Sequence, residues 1–166
     1  MSEARNPSRA IKMTVRGLIM DPVSNMPVVV LQNPDGDSFL PIWIGVCEAN
    51  SIALELEGVS TPRPMTHDLI RNLVETTGFL VDHVYIHTLD ESVFIASIHL
   101  RGAEGAECTV DSRPSDAIAL ALRAKADVLV DPSVLDRAEV PGASTEEALR
   151  AILERLRPED MGEYEM

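Results

Sequence analysis

The sequence predicts an α+β domain in which a duplicated unit of three strands and two helices shares one mixed, barrel-like sheet, with the helices packed against it. Three observations predict it. Strand-like and helix-like stretches follow one another in the same order twice. The helices of the two copies share a core, "IALEL" at 52–56 and "IALAL" at 118–122. The strands carry apolar residues on both sides, Ile11, Met13 and Val15 on one and Leu18 and Met20 on the other. A sheet covered on one face alternates more cleanly. Either the sheet curls, or a second subunit covers its spare face, so a homo-oligomer, a dimer first, is expected.

The elements follow in order. Residues 1–10 are polar and read as a disordered tail. "IKMTVRGLIM" (11–20) is the first strand, and the turn formers of "DPVSNM" lead into "PVVVLQ" (27–32). "NPDGD" is a stronger turn signal before a third strand, "SFLPIWIG" (38–45). "CEANSIALELEG" and "THDLIRNLVETTG" are helices, each closed by a glycine, Gly58 and Gly78, because glycine takes the positive φ of a C′ residue cheaply. The order then recurs with "FLVDHVYIH", "SVFIASIHL" and "AECTVD", a helix from Pro114 to Lys125, a short strand "DVLV" and a helical turn near "PSVLDRA". One domain thus spans 11–138, with pseudo-repeats of about 11–78 and 79–138. The remainder, 139–166, reads as an acidic helix and tail, with Ser144 and Thr145 as caps and Ala148, Ile152 and Leu156 along one side.

Composition narrows the function. A chain of 166 residues suits one domain, which buries roughly 70% of its extended-chain surface on folding. Its N-terminus lacks the apolar core of a signal peptide, and no run approaches the roughly 20 apolar residues of a membrane helix, so a cytoplasmic protein with no membrane contact is expected. Cys47 and Cys108 show no CxxC or metal-ligand spacing and read as reduced, largely buried thiols. The formal charge of −13 repels phosphate backbones, so any nucleic-acid contact has to come from a local basic patch. Neither a Walker loop nor a GxGxxG signature is present.

The stretch "VDSRPSDAIALALR" (110–123) crowds charge in front of an apolar helix. Ser112 suits an N-cap, Pro114 the first turn, and Asp116 the positive end of the helix dipole. Capping does not account for Arg113, a cation where the dipole disfavours one, nor for Asp111 at the preceding strand end. In "TPRPMTHDLI" (61–70), Thr66 as N-cap gives Met65 and Ile70 hydrophobic-staple spacing, and Asp68 again suits the dipole. Arg63 sits between two prolines that restrict its backbone. His67 is either a solvated first-turn residue or a proton carrier near neutral pH. Glu48 and Glu55 share a stripe of their helix, roughly 10 Å apart. If a three-residue loop, Leu89 to Glu91, joins the adjoining strands, one sheet face carries His83, Tyr85, His87, Ser97 and His99, together with Val81, Val93 and Ile95. Those histidines raise a zinc reading against that of a covered or solvated face.

Taken in order, "PIWIGVCEANSIALELEG" (41–58), "PRPMTHDL" (62–69) and "VDSRPSDAIALALR" resemble the bifunctional nuclease domain family, over roughly residues 11–138. The resemblance implies an α+β domain with a duplicated strand-and-helix unit, and a nuclease that acts on both DNA and RNA with little sequence preference. It supplies no set of catalytic residues, and the following set comes from the residues themselves. Arg63, Arg113 and Arg123 are the candidates for phosphate, since a guanidinium donates two parallel hydrogen bonds. Glu48, His67, Asp68, Asp111 and Asp116 are the catalytic candidates. Glu48, Asp111 and Asp116 are the expected ligands of a divalent cation, Mg²⁺ or Mn²⁺. The competing reading is a non-catalytic binding or regulatory module in which the Arg–carboxylate sets are structural.

Overall fold

The structure, a computed structural model, describes residues 9–22, 24–36 and 38–138. Within these, seven strands form one mixed sheet with four helices. The chain runs β1 (Ile11–Met20), β2 (Pro27–Gln32), β3 (Phe39–Trp43), α1 (Val46–Leu56), α2 (Thr66–Thr76), β4 (Phe79–Asp90), β5 (Val93–Gly102), β6 (Glu107–Ser112), α3 (Pro114–Ala124), β7 (Asp127–Val130) and α4 (Pro132–Ala138). The sheet order is β3-β2-β1-β7-β4-β5-β6. Only β4 and β7 pair in parallel; the other neighbours are antiparallel. The expected C-terminal helix, with its caps and apolar side, lies outside the described residues, as do residues 1–8 of the expected N-terminal tail. No helix among the described residues is long and apolar enough to cross a membrane.

The order strand, strand, strand, helix occurs twice, and β7 lies between the two three-strand sets. The halves then diverge: α2 follows α1, whereas β7 and α4 follow α3. α1 and α2 end as expected, with Gly58 at φ +66° and Gly78 at φ +84°.

The barrel-like closure does not occur, because β3 and β6 remain as edges. The apolar pattern that suggested it has a local cause. A bulge between Val15 and Gly17 shifts the register of β1, so the face reached by odd residues before it is reached by even residues after it. Leu18 therefore joins Ile11, Met13 and Val15 against the main core. β2 is covered on both faces along its length. Val29 and Leu31 enter the main core, while Val28 and Val30 pack with Ile19 and Phe39 in a second cluster. Cys47 and Cys108, expected to be largely buried, are both exposed.

The hairpin of β4 and β5 also differs from the expectation. Glu91 and Ser92, at φ 43° and 73°, form a two-residue turn between paired Asp90 and Val93, as a mirror-image hairpin turn requires. A bulge between Val81 and His83 turns Val81 toward the core, away from the histidines.

The main core gathers Ala49 and Ile52 of α1, Val134 of α4 and four residues of α3, Ala117, Ile118, Ala119 and Ala121, over the sheet. α3 is buried on nearly every side, and its alanines let both flanking helices and the sheet approach closely. This central helix brings the starts of α1 and α2 to its own.

A candidate active site at three helix starts

α1, α2 and α3 each carry an acid at the third helical position: Glu48, Asp68 and Asp116. The residues just before the helices are Gly45, Met65 and Arg113, all extended and none forming a side-chain cap. Both expected caps are thus displaced by one residue. Thr66 is the first residue of α2, and Ser112 ends β6 with its hydroxyl donating to the Arg113 carbonyl at 3.0 Å. At α2 the acid serves an open N–H group instead, the Met65 N–H donating to Asp68 Oδ2 at 2.9 Å.

Four of the expected residues converge at the surface. Arg113 donates from Nε to Asp116 Oδ2 at 2.7 Å and from an Nη to Glu48 Oε1 at 2.9 Å. His67 Nε2 lies 3.1 Å from Asp116 Oδ1. Exposure is graded across the set: the Arg113 side chain is 67% exposed, Asp116 30%, Glu48 18% and His67 9%. A Cβ on Gly45 would meet the Glu48 carboxylate, so the glycine leaves room for Glu48 in the position it takes beside Arg113. Burial acts to raise the Asp116 carboxyl, but hydrogen bonds from Arg113 and His67, with the Arg113 charge, outweigh it and hold the group below its ordinary range. The hydrogen bond from Arg113 to Asp116 raises the guanidinium in turn.

Two more of the expected residues meet beneath this set. Arg123, its side chain 3% exposed, donates from Nε to Asp68 Oδ1 at 2.7 Å. Its Nη groups donate to the carbonyls of Ala119 at 2.9 Å and Ser51 at 3.1 Å. Asp68 resembles Asp116 electrostatically. Burial works against ionisation, but the Met65 N–H, the Arg123 hydrogen bond and the charges of Arg123 and Arg71 hold it low. This pair ties α1, α2 and α3 together; its guanidinium is sealed, while the Asp68 side chain stays 23% exposed.

Two expected residues stand apart. Asp111 pairs with Ser97 in the β5–β6 ladder, on the face away from the helices. Arg63 is exposed in the loop before α2, where its carbonyl accepts from Thr61 Oγ1 at 2.7 Å. The three-acid set of Glu48, Asp111 and Asp116 is therefore not assembled, and no group of three or more His, Cys, Asp and Glu placed to hold a metal occurs among the described residues. On the far face His83 and His99 stack at 4.2 Å, with Asp82 Oδ2 2.7 Å from His83 Nδ1. Burial, then the charge of His83, lowers His99.

One member was not legible. Ser51, 6% exposed in the middle of α1, places its Oγ 2.8 Å from His67 Nδ1. The result is one polar chain from Asp68 through Arg123, Ser51, His67, Asp116 and Arg113 to Glu48, buried at Arg123 and open to solvent at Arg113.

Comparison with known proteins agrees on the kind of domain. The model of the bifunctional nuclease domain matches residues 29–143. An uncharacterized protein of Mycobacterium tuberculosis is 41% identical over 145 residues, 86% of either chain. Bifunctional nuclease 1 of Oryza sativa subsp. japonica is 28% identical over 106 residues, and bifunctional nuclease 2 of Arabidopsis thaliana 30% over 107. Those matches cover 62% of this chain and 32% of each plant protein.

Proposed function

Because the chain belongs to the bifunctional nuclease domain family, we propose that it is a nuclease hydrolysing phosphodiester bonds of DNA and RNA with little sequence preference. The observation that carries this reading is Arg113, an exposed guanidinium held in place by carboxylates from two other helix positions. A guanidinium has five N–H donors; one goes to Asp116 and one to Glu48, which leaves three for the non-bridging oxygens of a phosphate. Charge building on those oxygens during attack is what such a donor stabilises. In this reading Glu48 and Asp116 accept hydrogen bonds from the attacking water, and His67, 3.1 Å from Asp116 Oδ1, holds that carboxylate from behind. Arg63 is exposed and available to the flanking phosphate backbone, whereas Arg123 and Asp68 act through the scaffold. Asp111, on the other sheet face, has no part in this set.

For a divalent cation, Mg²⁺ or Mn²⁺, the set offers two carboxylates, Glu48 and Asp116. Mg²⁺ commonly takes one or two protein carboxylates and fills the rest of its shell with water and phosphate oxygens. When bound, it would make the attacking water more acidic and offset the charge of −13. We further propose a cytoplasmic homodimer, whose mass is read by light scattering on the same preparation.

The second reading is a binding or regulatory module whose Arg–carboxylate sets are structural, and the Asp68–Arg123 pair, with its buried guanidinium, is the observation in its favour. Incubating the purified chain with single- and double-stranded DNA and RNA, with Mg²⁺ or Mn²⁺, tests the proposal. Cleavage that EDTA abolishes and Asp116→Asn removes is expected. Intact substrates under every condition, from a folded protein, sink the nuclease reading and leave the module.

A further inference from the structure

His67 is wedged between α1 and α3 with both ring nitrogens engaged, Nδ1 by Ser51 Oγ at 2.8 Å and Nε2 by Asp116 Oδ1 at 3.1 Å. Asp116 is ion-paired to Arg113, and an ionised carboxylate can only accept hydrogen bonds. Nε2 therefore carries a hydrogen whether the ring is neutral or protonated. The two states differ at Nδ1, and Nδ1 faces Ser51. A hydroxyl suits both, donating to the lone pair of the neutral ring and accepting from the N–H of the charged one.

We propose that Ser51 is a positioning residue: its hydroxyl keeps His67 in the orientation that donates from Nε2 to Asp116 Oδ1. With Arg113 on the other oxygen, the carboxylate is then clamped from two sides. The inference deepens the nuclease reading, on which its functional half rests. The two roles of Ser51 are separable. Its backbone carbonyl accepts from Arg123 at 3.1 Å, and Ser51→Ala removes only the hydroxyl. No such link is expected of a mid-helix serine, whose usual role is to bond its own backbone or solvent.

Nitrogen-15 NMR of the full-length chain, at a pH where the ring is neutral, tests it. The expected result is the Nε2–H tautomer for His67, with an Nδ1 resonance displaced by a hydrogen bond. In Ser51→Ala that displacement disappears and cleavage falls about 10–100-fold, as when the outer partner of an active-site group is lost; Ser51→Thr, which keeps the hydroxyl, restores both. An Nδ1–H tautomer in the unaltered chain, or an unmoved Nδ1 resonance in Ser51→Ala, overturns the proposal. The spectrum needs no cleavage, so a chain with the expected tautomer that cuts nothing refutes the nuclease reading alone.

Discussion

Asp68 and Asp116 hold the same position in successive helices, yet one pairs with the buried Arg123 and the other with the exposed Arg113. Their placement at helix starts was legible, because the dipole makes such acids recognisable. Arg113 was legible as the residue that capping left unexplained. Its partners were not, since Glu48 comes from another helix and is brought close only by the packing of α1 on α3. Arg123 was read as a phosphate ligand; only the packing of the alanines around α3 shows it to be sealed. Both acids are held below their ordinary values, which has a definite sign. Stability from their ionised forms is present above the unfolded carboxylate pKa of about 3.9 and is lost as pH falls through the depressed folded values. Melting temperature should therefore drop as the solution is taken from about pH 5 toward pH 2. Asp68→Asn should melt lower at neutral pH and show a shallower acid slope; parallel slopes in thermal melts would contradict this account of Asp68.

The existence and order of the elements were readable from periodicity and turn chemistry, but their local register was not. Bulges in β1 and β4 invert which side chains face the core, and a bulge leaves little trace in a sequence that is apolar on both sides of it. Parity also decided Asp111, which pairs with Ser97 and so faces away from the helices. Among the helices, the element-scale claim is that Asp68–Arg123 staples α1, α2 and α3. Removing Asp68 strands the charge of Arg123, whose side chain is 3% exposed, so Asp68→Ala should cost about 3–5 kcal/mol. The double variant Arg123→Met/Asp68→Leu should recover much of that, because it strands nothing. Urea unfolding measures both. A single variant within about 0.5 kcal/mol of the unaltered chain, the usual span of a surface substitution, would show that the staple holds nothing.

For the whole molecule, α+β architecture was legible and closure was not. Counting apolar residues on two strand faces cannot separate a curled sheet from an open one with a bulge and stretches buried on both faces. The charge of −13 remains the feature least suited to a polyanionic substrate. It makes Arg113, the exposed cation of the assembled set, the test of whether the site works on phosphate. The most direct measurement is parallel cleavage and thermal melting of Arg113→Ala. An exposed ion pair contributes about 0–1 kcal/mol, whereas a lost donor to a developing oxyanion costs about 10²–10³-fold in rate. The expected result is a protein that melts within a few degrees of the unaltered chain and has lost cleavage by about that factor. Unchanged cleavage, or a collapse of melting that accounts for the lost activity, would contradict it.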